Sequence, residues 1–459
     1  MENYMTVREL YEACLTHSLK DGVDVEIDGW VNNNRFMGKI GFISFNDGTC
    51  FKNAQLVYST DTPNFEAIEK LRLGCSIHIT GNFHYTDNGK QPFEVHLKTV
   101  DLIGGVDESY PLQKKKTSFE FLRTIPHLRP RTNTFRAVFR LRSVLSMAIH
   151  EFFQGEGFVY VHTPILTSND CEGAGQTFQV VTDLRHPEEY FGKKVTTTVS
   201  GQLHVEPFAM AFRDVYTFGP TFRAEKSNTT HHAAEFWMIE PEIAFANLQD
   251  DMDLIEDFLK YITKYVIANC PDEIDFFDQR IEPGLKQKLK NFIEKDFVEV
   301  DYTKAIDILL EAKKNGHKFV NDNIFWGLDL ESEHERYLTE QVFKGPIFLT
   351  NYPKEIKSFY MKQNPDGKTV AAVDLLVPEI GELVGGSERE ADYEKLVKRM
   401  EELKMNIPAY QWYLDLRRNG SCPHAGFGLG FERMLQYLTG MTNIRDVEAY
   451  PRSYKECEF

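Results

Sequence analysis

Two hydrophobic rhythms divide this chain. Between residues 23 and 103, apolar and polar residues alternate in short runs at 23–33, 40–46, 53–59, 76–85 and 93–103. Asp47-Gly48, Asn82 and Asn88-Gly89 punctuate them. Alternation bounded by turn residues predicts half-buried strands. Residues 63–73, after the third run, have a helical pattern. Five strands with a helix after the third is the arrangement of a small oligonucleotide-binding barrel. At 105–118 the alternation stops: the stretch is polar, holds Pro111 and Lys114-Lys115-Lys116, and predicts a linker.

The second rhythm is helical. Over 134–155, Phe135, Val138, Phe139, Leu141, Leu145, Ile149 and Phe152 fall on one wide apolar face. A strand at 158–164 ends at Pro164, and runs at 216–224 and 234–244 predict two strands around a polar loop. Helical patterns at 249–268, 284–295, 303–315 and 332–343 read as an insertion over about 247–345. Strands are expected at 347–350, 358–363, 369–377 and 381–387, a helix at 389–403, and a strand at 424–430 feeding a last helix. Strands outnumber crossover helices, so the expected fold class is α+β. It comprises a five-stranded OB-type barrel (1–104), the linker (105–118), and a domain (119–459) of mostly antiparallel sheet flanked by helices.

Composition narrows this picture. A chain of 459 residues exceeds one ordinary domain, and 42% hydrophobic with 26% charged residues suits a globular protein. No apolar run is long enough to span a bilayer, and the start lacks a basic-then-apolar leader. Seven scattered cysteines, an odd count without a Cys-x-x-Cys pair, predict free thiols in a reducing, cytoplasmic compartment and argue against structural zinc. A formal net charge of −17 counts against nonspecific nucleic-acid binding. A nucleic-acid partner would need local basic patches such as Lys114-Lys115-Lys116, a run that equally suits a solvated linker.

The candidate chemistry lies in three clusters. Phe222-Arg223-Ala224-Glu225 precedes the loop 226–232, rich in donors, and then Glu235-Phe236-Trp237. An arginine beside an aromatic strand either pairs structurally or faces a cleft. The loop suits a phosphate or nucleic-acid clamp, or is an ordinary polar hairpin loop. Gly426, Gly428 and Gly430 alternate before Arg433. Missing side chains on one strand face let a flat group lie against the backbone, or serve close sheet packing. Arg433 opens a helix, where an anionic ligand would offset its charge against the local dipole. Asp374 and Glu382 are carboxylates in otherwise apolar strands, which suits magnesium or turn capping. Two fixed cations with closely approached backbone fit a bent triphosphate, and point to activation of a carboxylate with ATP.

These stretches resemble the three signature motifs of class II aminoacyl-tRNA synthetases, and the flanking sequence resembles the asparagine-specific members. The resemblance also runs through residues 42–49, 118–123, 128–135, 158–164, 170–175, 200–203 and 235–242, essentially the whole chain. It implies ATP and Mg2+ as cofactors, and L-asparagine and tRNA(Asn) as substrates. It also implies a homodimer through the long helix and the strand ending at Pro164, with no membrane partner. Arg223 would meet the α-phosphate, Phe236 would stack on adenine, His232 would reach toward the γ-phosphate, and Arg433 would lie across the adenine near the γ-phosphate. Asp374 and Glu382 would hold the metal. Glu172, Gln202 and Glu240 would surround the amino acid's ammonium, while Arg389 and Glu225 would read its side-chain amide. Phe42, Gln55 and Glu94 would meet anticodon bases.

The aspartate-specific relatives carry a lysine where this chain has Val205, which disfavours a charged substrate. The alternatives are aspartyl-tRNA synthetase, an adenylate-forming amide synthetase that makes free asparagine, and a non-enzymatic tRNA-binding protein. Three positions depart from the family pattern: His231 replaces a common arginine, Gln176 a glutamate, and Glu388 a glutamine.

Overall fold

The structure is a computed structural model that describes residues 3–87, 91–115, 117–171, 176–227 and 229–459. Two compact units emerge, Met1–Arg140 and Leu141–Phe459, divided within the long helix Asn133–Gly155.

In the first unit, β1 (Asp24–Phe36), β2 (Ile40–Asn46), β3 (Ala54–Ser59), β4 (Ser76–Tyr85) and β5 (Phe93–Gly104) close a barrel in the order β1-β2-β3-β5-β4. Alternation fixes the inside: Ile43, Phe45, Leu56, Ile77, Ile79, Phe83 and Phe93 are buried, and the residues between them face outward. The helix expected at 63–73 is confined to Phe65–Glu69. A further helix, Val7–Thr16, precedes the barrel; its start is fixed by a reciprocal capping box between Thr6 and Glu9.

The second unit is built on an eight-stranded sheet. Its strands are β6 (Val159–Tyr160), β9 (Asp214–Phe222), β10 (Glu235–Ala244), β11 (Val298–Asp301), β12 (Ile347–Thr350), β13 (Ala372–Val377), β14 (Gly381–Glu388) and β15 (His424–Gly430). A separate two-stranded ladder joins β7 (Leu166–Thr167) to β8 (Thr196–Thr197). The sheet order is β11-β12-β13-β14-β15-β10-β9-β6, parallel only at the outer pairs β11·β12 and β6·β9. The expected mostly antiparallel sheet is therefore present.

Several segments differ from the pattern reading. The expected strand 158–164 pairs only at Val159–Tyr160. The expected strand at 358–363 is a turn with isolated bridges at Met361 and Gln363. Phe359, Tyr360 and Met361 are consecutive and all buried in a core with the surrounding helices, so the segment lacks the two-faced alternation of a strand. The segment 247–345 is not wholly helical, since it supplies the edge strand β11. Helices Gln202–Phe212, Pro271–Arg280 and Gln411–Arg418 add to those expected.

Candidate active site

The central strands β9, β10, β14 and β15 present one face to two clefts, of about 420 and 110 Å³. Arg223, Glu225, Met238, Glu382 and Gly428 line both, so the two spaces are continuous along one wall. Gln202, Glu240, Asp374 and Arg389 line the larger; His232, Phe236 and Arg433 line the smaller. Arg223, Glu225, His232, Phe236, Asp374, Glu382 and Arg433 thus border one continuous space, from segments far apart in the chain, whereas Gly426 lines neither cleft. Glu172 lies outside the described residues.

Arg223 leaves the end of β9, where its backbone N–H donates to the carbonyl of Ala234 at 3.0 Å. Its guanidinium carbon stands 5.3 Å from the centroid of Phe236. Arg433 comes from the helix Phe431–Thr439 and donates to the carbonyl of Glu382 at 2.8 Å. The alternating glycines separate into two roles. A side chain at Gly426 would run into the Glu242 carboxylate at 2.3 Å, so this position serves packing. Gly428 and Gly430 border the smaller cleft beside Phe236 and Arg433; Met238 Cε stands 2.7 Å from where a Gly428 side chain would begin, whereas Gly430 leaves room for a flat group.

His231 and His232 close the cleft from the loop. Burial, then Arg433, hold the His231 imidazole below its ordinary pKa, and Gln436 opposes them. Burial also lowers His232, against the pull of Glu225, whose carboxylate is 3.7 Å away. Three main-chain and side-chain bonds tie this loop region to the end of the chain. Ile444 N–H donates to Thr230 O at 2.8 Å, Arg445 to Thr229 O at 3.3 Å, and Ala234 N–H to Arg452 O at 2.7 Å.

In the larger cleft, Glu240 accepts from the Ser200 hydroxyl and from Gly201 N–H at 2.8 Å. Arg389 is gripped by Glu242 through two bonds of 3.0 and 2.9 Å and donates to the Ser387 hydroxyl at 2.8 Å. Burial opposes its charge, but Glu242 more than compensates and holds the guanidinium protonated. Behind it lies a second buried centre. Glu206 accepts from Gln202 at 3.1 Å, from Tyr413 at 2.8 Å and from Arg417 at 2.9 Å, and lies 3.1 Å from the His424 ring. Burial works against ionisation of Glu206, yet Arg417 and His424 hold its carboxyl below the usual range. Glu206, Glu242 and His424 offer atoms within 4.8 Å of one another. Each carboxylate is already paired with an arginine, so this is an ionic support for Gln202 and Arg389. Sequence reasoning missed Glu206, Glu242 and Arg417; charged residues inside apolar stretches were the available signal.

Asp374 and Glu382 converge. A side chain at Gly385 would come within 2.9 Å of Glu382 Oε1 and 3.4 Å of Asp374 Oδ1, so both oxygens border the space this glycine leaves. Two carboxylates beside a cleft suited to phosphates fit the oxygen-ligand chemistry of magnesium. Lys357 lies 2.6 Å from Asp374 Oδ2 and went unnoticed in the sequence. Burial, then the neighbouring Glu382 and Asp374, push the Glu335 carboxyl up to about 8.

Gln176 borders the larger cleft and accepts from Ala224 N–H at 2.9 Å. Glu388 turns to Lys362 at 2.6 Å, as strand alternation next to Arg389 requires. In the barrel unit, Phe42, Gln55 and Glu94 sit on the adjacent strands β2, β3 and β5 at outward, partly exposed positions. Gln55 Nε2 donates to Glu94 Oε1 at 2.6 Å. Phe42 is flanked in sequence by the buried Gly41 and Ile43, which excludes it from the barrel core.

Residues 119–454 match the family described as tRNA synthetases class II (D, K and N). The chain belongs to this family. Residues 25–103 match the OB-fold nucleic acid binding domain. Among curated relatives of this class II chain, the asparagine–tRNA ligase of Clostridium beijerinckii is 54% identical, covering 95% of this chain and 96% of its own length. That of Bacillus cereus is 52% identical and covers both chains fully. Among solved structures, asparaginyl-tRNA synthetase from Pyrococcus horikoshii complexed with asparaginyl-adenylate is 35% identical. It covers 94% of this class II chain and 95% of its own, with a TM-score of 0.84.

Proposed function

We propose that this chain is an asparagine–tRNA ligase that joins L-asparagine to tRNA(Asn) through an asparaginyl-adenylate. The observation that carries this reading is the pair of adjoining clefts, one lined by Arg223, Phe236 and Arg433 and the other by Arg223 and the Glu242-bound Arg389, in a chain 54% identical to an asparagine–tRNA ligase. In the first step, an asparagine carboxylate oxygen attacks the α-phosphorus of ATP and pyrophosphate leaves. The carboxylate is already nucleophilic, so in-line placement and cations where charge accumulates are what the site must supply. Arg223 is the cation for the α-phosphate; Phe236 and Arg433 hold the adenine between them over Gly428 and Gly430; His232 faces the outer phosphate. In the second step, a terminal ribose hydroxyl of the tRNA attacks the activated carbonyl and AMP leaves.

Asp374 and Glu382 would hold magnesium, which when bound neutralises phosphate charge. Gln202 and Glu240 would accept from or neutralise the substrate ammonium, a role the family resemblance also gives Glu172. Arg389, fixed by Glu242, donates to the side-chain carbonyl, and Glu225 accepts from the amide NH₂. Glu225 would repel an aspartate carboxylate, and the Val205 position, packed in the core, supplies no compensating cation. A site built around such polar partners discriminates by about 10⁴–10⁵.

Outside the catalytic cleft, Phe42, Gln55 and Glu94 would receive anticodon bases. A homodimer would cover the exposed Met147, Val159, Ile165 and Leu166 along the long helix and the segment through Pro164. No helix among the described residues is long and apolar enough to cross a membrane. The free cysteines suit a cytoplasmic setting.

Pyrophosphate exchange followed by tRNA charging tests the assignment. Exchange is expected with asparagine and not aspartate, and charged tRNA(Asn) is expected to follow. Exchange with aspartate alone would overturn the substrate; exchange without charging would leave activation and remove the ligase. Arg223→Ala is expected to lower exchange on the order of 10–100-fold, the value of one charge-assisted hydrogen bond.

A further inference from the structure

The turn that replaces the expected strand near residue 358 follows a lysine that reaches the carboxylates of the larger cleft. Lys357 Nζ lies 2.6 Å from Asp374 Oδ2 and 3.9 Å from the centroid of the Tyr352 ring. The two charged side chains are 17% and 12% exposed, so solvent screens their contact weakly. Asp329 and Glu382 line the same cleft and also act on the ammonium. Asp374 is thereby divided. Its Oδ2 serves Lys357, while its Oδ1 and Glu382 Oε1 border the space beside Gly385.

A divalent ion entering between Asp374 and Glu382 would therefore meet a pair already partly neutralised. It would also sit close to an ammonium that repels it, and at such distances inside a protein the repulsion is large. A polyphosphate changes the balance, because its oxygens compensate both cations at once. We propose that Lys357 is a resident cation of the metal-holding pair, and that it makes uptake of the divalent ion conditional on the polyphosphate. This rests on the reading of Asp374 and Glu382 as the metal-holding residues. It makes Lys357 a positioning residue with a function before the nucleotide binds: it keeps two converging carboxylates together without admitting a free ion.

The test uses the full chain and Mn2+ as an EPR-visible probe, titrated with and without α,β-methylene-ATP. Without nucleotide, Lys357→Met is expected to bind Mn2+ about tenfold or more tightly than the parent, because the nearest repulsive charge is gone. Lys357→Arg, which keeps that charge, is expected to stay near the parent. With the analogue present, the difference between Met and parent should shrink to about threefold or less, since the phosphates supply the compensation. Unchanged or weaker Mn2+ binding by folded Lys357→Met without nucleotide would overturn the proposal. If that variant does not fold, Lys357→Gln, which keeps a donor for Asp374, carries the same expectation and the same refutation. Asp374→Asn checks the underlying reading separately: if it binds Mn2+ with the analogue as well as the parent does, the metal assignment fails whatever Lys357 does.

Discussion

With ATP in the smaller cleft, His231 would give it a charge that depends on the occupant. Burial, then Arg433, lower its pKa in the free protein, so at neutral pH the ring is uncharged. A polyphosphate favours the protonated ring, so its binding takes up a proton. Affinity for ATP should therefore rise as the pH falls from about 8 to about 6. A permanent cation would remove this step. His231→Arg is expected to bind ATP about tenfold more tightly at pH 8, the order of one charge-assisted hydrogen bond. Its affinity should also change less between pH 8 and 6. The slope should not vanish, because His232 shares the cleft and its pKa is lowered by burial as well. Calorimetric titration at three pH values checks this; the same slope in parent and variant would assign the proton to another group.

At the scale of elements, the helix Leu248–Asn269 sets local order against burial. Asn247 and Asp250 form its capping box, and Asp251 follows in the same turn. A carboxylate there suits the helix dipole. Asp251 is nevertheless wholly buried, its oxygens lack hydrogen-bond partners among the described residues, and one lies 2.7 Å from where a Gly386 side chain would begin. Burial raises its pKa well above 3.8 despite Arg389. A raised carboxyl pKa means that the folded chain holds the proton more tightly than the unfolded chain. Stability is then lost as the pH climbs above the unfolded value. Asp251→Asn removes that dependence. Its thermal midpoint should exceed the parent's at about pH 8 and approach it toward about pH 4. Parallel midpoints across that range would show that the carboxyl's ionisation contributes nothing to the fold.

The same scale shows what the chain's pattern reveals and what it hides. The five barrel strands were legible because each buries one face, and alternation is the record of that. The helix Val7–Thr16 was missed although Thr6 and Glu9 spell a capping box, a signal that outlasts a weak apolar stripe. Segment 358–363 misled because β-rich composition does not reveal burial on all sides. In the site, Arg223, Asp374 and Glu382 stood out as charges in or beside apolar strands, and Arg433 as a cation opening a helix. The charges that back Gln202, Arg389 and Asp374 did not. Glu206 and Arg417 are 211 positions apart, and Lys357 and Asp374 approach only through a turn, so no local spacing encodes either pair.

Across the whole molecule, two kinds of surface would serve the two proposed substrates. The clefts that would activate asparagine lie in the second unit, and the outward face carrying Phe42, Gln55 and Glu94 lies in the barrel. With a net charge of −17, bulk attraction contributes little to holding an RNA, so recognition must come from local stacking and hydrogen bonds. Phe42 is the test of this division. A base stacked on an aromatic side chain is worth about 1–3 kcal/mol. Phe42→Ala should therefore lower kcat/KM for tRNA(Asn) charging about tenfold or more. Asparagine-dependent pyrophosphate exchange, which needs no tRNA, should stay within about twofold of the parent. Phe42→Trp, which keeps a ring, should restore charging. A parallel fall in both reactions would mean that Phe42 supports the fold, and a loss that Trp does not restore would mean that the ring acts by shape and not by stacking. If charging alone falls and Trp restores it, this face of the barrel reads the RNA while the clefts of the second unit carry out the activation.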